Sequence, residues 1–222
     1  MKLALLTLAP SIAICLFVYW QDKFEKEPRR LLFSSFFLGM LSVIPTLLLS
    51  TIGEFVGFKP QSNDIIWSLI SCIIGIGLVE EYCKYFFVRF HSYNKSAFNE
   101  PFDGITYSVM VAMGFATVEN ILYVMEGGET VAWLRMFTAV PSHATDGVFI
   151  GFFLGIQKVL GKSYFGLIGL GLTAIAHGLY DFFIMNSEHE EMFVIYWLLV
   201  FILVLYLSFK AIRIHQRNSP FK

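Results

Sequence analysis

The chain has 222 residues, of which 56% are hydrophobic, 17% aromatic and only 15% charged, and its formal net charge is -1. A soluble domain carries about 25% charged residues, so the composition predicts an integral membrane protein. With no basic patch interleaved with aromatics, it gives no sign of a nucleic-acid partner. The lipid bilayer is the expected surroundings, and its long apolar runs must be helices that satisfy their own backbone polar groups.

About 20 apolar residues are needed per span. Seven spans are predicted, at 3–20, 31–52, 65–88, 104–125, 137–158, 164–185 and 192–212, within one all-α membrane domain covering residues 1–222. The first run ends in Tyr19 and Trp20, followed by Lys23, Lys26, Arg29 and Arg30. Interfacial aromatics then cations, without a small-residue cleavage site, read as a retained helix rather than a signal peptide. Cys15, Cys72 and Cys83 all fall in apolar runs. Cys72 and Cys83 lie about 16 Å apart along one helix, beyond disulfide reach.

Lysine and arginine fall unevenly between the connectors. The first, third and fifth connectors and the tail hold Lys23, Lys26, Arg29, Arg30, Lys84, Arg89, Lys95, Lys158, Lys162, Lys210, Arg213, Arg217 and Lys222; the other side holds Lys2, Lys59 and Arg135. This bias predicts an outside N-terminus and a cytoplasmic C-terminus.

The third span carries Glu80 and Glu81 toward its end, with Tyr85, Phe86, Phe87 and Val88 still to follow. A carboxylate near the midplane costs at least about 2.5 kcal/mol on insertion scales, so an adjacent pair marks a site. Lys84 shares a face with Glu80, in the favourable Glu-before-Lys order, and Gly75 and Gly77 thin the helix one turn earlier. The fourth span places Glu119 and Asn120 well inside hydrocarbon. The fifth carries His143 and Asp146, then Gly147, Gly151 and Gly155, a small-residue ridge for close packing. The sixth pairs His177 with Asp181 at i, i+4, and a carboxylate beside a histidine fixes its tautomer and raises its basicity.

Two chemistries suit this set. Glu and His can activate a water for attack on a carbonyl, with a second His or Asn at the oxyanion. Alternatively His143, His177 and Glu81 can hold zinc with an open position. A G-x-S-x-G motif, an H-E-x-x-H motif and the paired aspartates of aspartyl intramembrane proteases are all absent from the sequence.

Five blocks in order resemble the PrsW proteases: Glu-Glu-x-x-Lys at 80–84, Phe-Asp-Gly-Ile at 102–105, Gly-Phe-Ala-Thr-x-Glu-Asn-x-Leu-Tyr at 114–123, His143 with Gly147, and His-Gly-x-Tyr-Asp-Phe at 177–182. Lys-Glu-Pro at 26–28 extends the likeness over nearly the whole chain. The resemblance implies a bacterial multi-pass intramembrane endopeptidase. It would make the first cut in a single-span membrane anti-sigma factor, leading to release of a sigma factor in a stress response. The pattern is similar in turn to the CaaX group of glutamate proteases, with two departures. Lys84 stands one residue closer than that group's Arg, and Glu119 occupies the position of its His. By this resemblance Glu80 or Glu81 is the base, His143 or Glu119 helps hold the water, and His177 stabilises the oxyanion or protonates the amine. Lys84, Glu119, Asn120 and Asp181 support them. No cofactor is implied outright; zinc is the alternative within the same reaction. A proton-coupled transporter is the reading from another class, because such residues also form proton relays.

One expectation is internally discordant. Counting ~1.5 Å per residue from Ile65 puts Glu80 about 22 Å from the outer surface, whereas Glu119, His143 and His177 fall nearer the outer half.

Overall fold

The structure is a computed structural model describing residues 2–188 and 191–222, so the connector expected at 186–191 lies partly outside the described residues. Seven helical rods follow in chain order: α1 (Lys2–Gln21), α2 (Arg29–Phe55), α3 (Ile65–Ser92), α4 (Pro101–Phe137), α5 (Ala139–Leu160), α6 (Tyr164–Met185) and α7 (Met192–Arg217). The apolar run from Pro101 to Leu160 would reach about 90 Å as one helix. It leaves helical geometry at Gly128 and again at Thr138, where φ is -121° and ψ is -75°, whereas the sequence pattern puts the whole stretch 126–135 in a connector.

The helix ends use ordinary capping chemistry. Asp64 Oδ1 accepts from the N–H groups of Ile66 and Trp67 at 3.0 and 3.2 Å, starting α3. Glu100 and Asp103 form a reciprocal capping box around Pro101 at the start of α4. Gly161, at φ 66°, ends α5 in the left-handed conformation.

α4 is the central helix, with every residue from Pro101 to Thr117 buried. It packs against α1, α2 and α5. The outward faces of α2 and α7 display Phe33, Leu47, Leu48, Leu199 and Leu203, apolar side chains suited to lipid. Between helices the contacts are backbone to backbone. A Cβ on Gly39 of α2 would lie 2.0 Å from the Val111 carbonyl oxygen, and one on Gly104 of α4 would lie 2.2 Å from the Gly151 carbonyl oxygen. The ridge of Gly147, Gly151 and Gly155 is what α5 lays against α4. At the α3–α6 crossing, Gly77 faces the Ala174 carbonyl and Gly178 faces Ile73. Gly75 is turned elsewhere, against the Phe58 ring.

Two irregularities bring the polar residues to one level. Ser68 Oγ meets Asn186 Oδ1 at 3.3 Å, so the first turn of α3 projects past the end of α6. Residues Ser71–Leu78 are then π-helical, a wider coil that advances less per residue than an α-helix. The count from Ile65 therefore overstates how deep Glu80 lies. In α4, Gly128 takes φ 66° and ψ -152°. The chain turns back there, and Arg135 reaches Glu119, which a straight helix would leave about 24 Å away.

Candidate functional site

α3, α4, α5 and α6 converge on a cavity of about 70 Å³ lined by Glu80, Glu119, Arg135, His143, His177 and Asp181, with Ile76, Tyr123, Tyr180 and Met185 at its margins. That volume holds a few waters. Larger apolar clefts lie elsewhere, against α1, and contain none of these groups.

The glutamates differ in setting. Glu81 is fully buried; its Oε1 accepts from Lys84 Nζ at 2.7 Å and from His177 Nδ1 at 2.7 Å, while Oε2 has no donor. Glu80 is 8% exposed and lines the cavity, with Oε2 3.3 Å from Lys84 Nζ and 3.6 Å from His177 Nε2. The helix places them there: Gly77 lets α3 touch α6, and Glu80 and Glu81 follow within the next turn, beside His177.

Lys84 is the internal counter-charge. Its ammonium bonds both glutamates, lies 3.2 Å from His143 Nδ1 and sits 4.1 Å from the Phe115 ring centroid. His143 Nε2 meets Glu119 Oε2 at 2.8 Å. His177 is surrounded by carboxylates: Glu81 and Asp146 (3.2 Å) at Nδ1, Glu80 and Asp181 (3.4 Å) at Nε2. Its Nδ1 lies 2.7 Å from Glu81 Oε1 and 3.2 Å from Asp146 Oδ2, so the two carboxylates compete for one N–H.

Glu80, Glu81, Lys84, Glu119, His143, His177 and Asp181, all singled out from sequence, meet here. Asn120 lies behind them: its Oδ1 accepts from Arg135 Nε at 3.0 Å and its Nδ2 donates to the Thr7 carbonyl at 3.2 Å. Two further members complete the set. Asp146, three residues after His143, is 1% exposed and belongs to the core of the site. Arg135, taken from its position as a connector cation, pairs with Glu119 and stacks on Tyr123 at 4.0 Å. Only the Gly127–Gly128 pair hints at the reversal that brings it in.

The donor types are ones that zinc takes, although the Lys84 ammonium already lies against three of them, Glu80, Glu81 and His143. Glu80, Glu81, His143 and His177 each offer one ligand atom, all within 4.8 Å of one another. The far nitrogens of both histidines meet carboxylates, as in carboxylate–histidine–metal arrangements. Five carboxylates (Glu80, Glu81, Glu119, Asp146 and Asp181) face two permanent cations, Lys84 and Arg135, so the cluster has room for further positive charge.

A polytopic helical protein with Glu, His and Asp gathered around a small cavity within the bundle is the architecture of an intramembrane enzyme. Residues 27–207 match the profile of the PrsW family intramembrane metalloproteases. The chain is 34% identical to Protease PrsW of Geobacillus kaustophilus over 81% of this chain and 78% of that protein. It is 31% identical to Protease PrsW of Bacillus subtilis over 90% and 88% of the two chains. With Protease PrsW of Clostridioides difficile it shares 30% identity over 93% and 88%. No solved structure matches the fold. The chain belongs to the PrsW family and is a multi-pass intramembrane peptidase.

Proposed function

We propose that the chain makes the first cut in a single-span membrane anti-sigma factor, using Glu80 as general base and His143 and His177 as its partners. The observation that carries this reading is the asymmetry of the glutamate pair. Glu80 opens onto the cavity, whereas Glu81 is locked between Lys84 and His177.

Glu80 takes a proton from a cavity water as its oxygen adds to the scissile carbonyl. His177 Nε2, between Glu80 and Asp181, donates first toward the oxyanion and then to the leaving amine. Glu81 holds the other face of His177, and Glu119 holds His143. Lys84 is the counter-charge to Glu81. Arg135 anchors Glu119 at the mouth. If zinc is bound, Glu81, His143 and His177 would hold it, leaving Glu80 as the base, and it would supply Lewis acidity toward water and carbonyl.

The cavity lies near the ends of α5 and α6 that adjoin Arg135 and Met185. With Lys84 and Arg135 assigned to the site, the remaining Lys and Arg still favour the opposite side by twelve to two. That supports a cytoplasmic C-terminus and a cavity opening toward the outside, where a cut near the outer end of a substrate span would fall.

The test is cleavage of a purified single-span anti-sigma factor by the purified chain in detergent, with and without a chelator. A product absent with Glu80→Gln supports the reading. Full activity in Glu80→Gln at normal protein levels overturns it. Loss with chelator and recovery with zinc would assign the metal-dependent version.

A further inference from the structure

A second cluster of carboxylates lies at the other end of the bundle, about 24 Å from Glu119 along α4. It joins the end of α1 and the α1–α2 connector to the start of α4, through Asp22, Glu25, Glu27, Glu100 and Asp103. Four of the five are nearly sealed from solvent: Asp22 and Asp103 at 0%, Glu100 at 1% and Glu27 at 3% exposure.

The donors present do not satisfy them. Tyr107 donates to Glu27, and the N–H groups of Asn99 and Glu100 donate to Asp103 Oδ2 at 2.7 Å each. Neither oxygen of the buried Asp22 has a hydrogen bond of normal geometry; the Glu27 N–H lies near it, and Asp103 and Glu100 add like charge. Glu25 Oε2, Glu100 Oε2 and Asp103 Oδ1 are also without one. Lys26, the cation coupled to Asp22, directs its ammonium to the backbone carbonyls of Tyr19 and Asp22 rather than to a carboxylate. Buried carboxylates in this state carry a large desolvation cost unless a cation or protons offset it.

We propose that this cluster is a divalent-cation site for a hydrated hard cation of the Mg²⁺ type, fastening the α1–α2 connector to the start of α4. The ligands are oxygens only, the set that hard cations take. Among the described residues, the one group of three or more donors all within 4.8 Å is the Glu and His set of the central site. The oxygens here are therefore spaced more widely. A cation that keeps several of its waters bridges such spacing, and Mg²⁺ dehydrates reluctantly.

Without the cation, protons take its place. Burial, with Asp103 adding repulsion, pushes Asp22 up to about 7 and Glu27 up to about 10. For acids with raised pKa, the folded state binds more protons than the unfolded one. Stability therefore falls as pH rises from the ordinary carboxylate range through these values. The cation relieves that loss, so its effect grows with pH.

The experiment uses the full chain in detergent micelles, with Mg²⁺ titrated against melting temperature and Mn²⁺ as the paramagnetic probe. Mg²⁺ is expected to raise Tm, more at pH 8 than at pH 6, and to displace a bound Mn²⁺ seen by electron paramagnetic resonance. Asp22→Asn with Glu27→Gln should lose both the displaceable Mn²⁺ and the Mg²⁺ response; Glu81→Gln, at the distant site, should keep both. A wild-type chain with no Mg²⁺ response and no displaceable Mn²⁺ overturns the proposal, as does Mn²⁺ retained by the double variant. A double variant that melts higher than wild type, with Mg²⁺ inert on both, would show instead that protons neutralise the cluster. If the double variant does not accumulate, the wild-type titration alone decides.

Discussion

Lys84 is the residue on which the central site's charge balance turns. It is 2% exposed and bonds Glu80, Glu81 and His143. Removing one partner of a buried ion pair costs about 3–5 kcal/mol, because the other charge is left uncompensated. Lys84→Met should therefore lower the melting temperature as well as cleavage, whereas Glu80→Gln should lower cleavage about 100-fold or more with Tm little changed. Thermal unfolding beside the cleavage assay separates the two; equal Tm losses in both variants would contradict the assigned settings. The carboxylates around His177 form a graded series. Asp146, at 3.2 Å and fully buried, should matter at least as much as Asp181, at 3.4 Å. Cleavage rates of Asp146→Asn and Asp181→Asn, each against His177→Ala, check that order. These residues could be picked out of the sequence because an ionisable side chain is costly in an apolar run and so marks a candidate site. Asp146 stood out less beside the glycine ridge. Arg135 resembled a connector cation, because the contact that gives it meaning depends on a chain reversal with no periodic signal.

At the scale of elements, the site depends on how closely two helices can approach. A Cβ at Gly77 would lie 2.4 Å from the Ala174 carbonyl oxygen. Gly77→Ala should push α3 away from α6 and separate the glutamates from His177, cutting cleavage about tenfold or more, since a displacement of about 1 Å costs on that order. Gly171 of α6, with nothing within 4 Å of its added Cβ, is the matched control. Gly171→Ala should leave cleavage unchanged and raise stability by about 0.5–1 kcal/mol through helix propensity. Parallel cleavage and melting measurements on the two variants read this directly. The expected spans overlap all seven rods, but the fourth, expected at 104–125, runs on as helix to Phe137 across the turn at Gly128. The sequence pattern does not reveal the π-helical stretch of α3, which leaves the apolar pattern intact while changing rise; the turn at Gly128 falls in the connector expected between the fourth and fifth spans. The π-helical stretch, with the first turn of α3 projecting past α6, accounts for the discordant depth of Glu80 reached by counting along an ideal helix.

For the whole molecule, topology and mechanism are linked. If the cavity opens outward, a cysteine at 62 should react with an impermeant reagent on intact cells. One at 218 should react only after permeabilisation, with native cysteines replaced in both cases. Labelling at 218 from outside would reverse the assigned orientation, and with it the side on which a substrate is cut. The order of the chain has a consequence for how the molecule is made. Glu81 and its partner His177 are 96 residues apart. At ribosomal speeds of about 5–20 residues per second, α3 waits roughly 5–20 s for α6 to emerge. At the start of that interval neither His143 nor His177 yet exists, and Lys84, on the next turn of the same helix, is the counter-ion that travels into the bilayer with the glutamates. The lysine thus serves biogenesis before it serves the finished site, and its loss should divert nascent chains to quality control before any substrate is met.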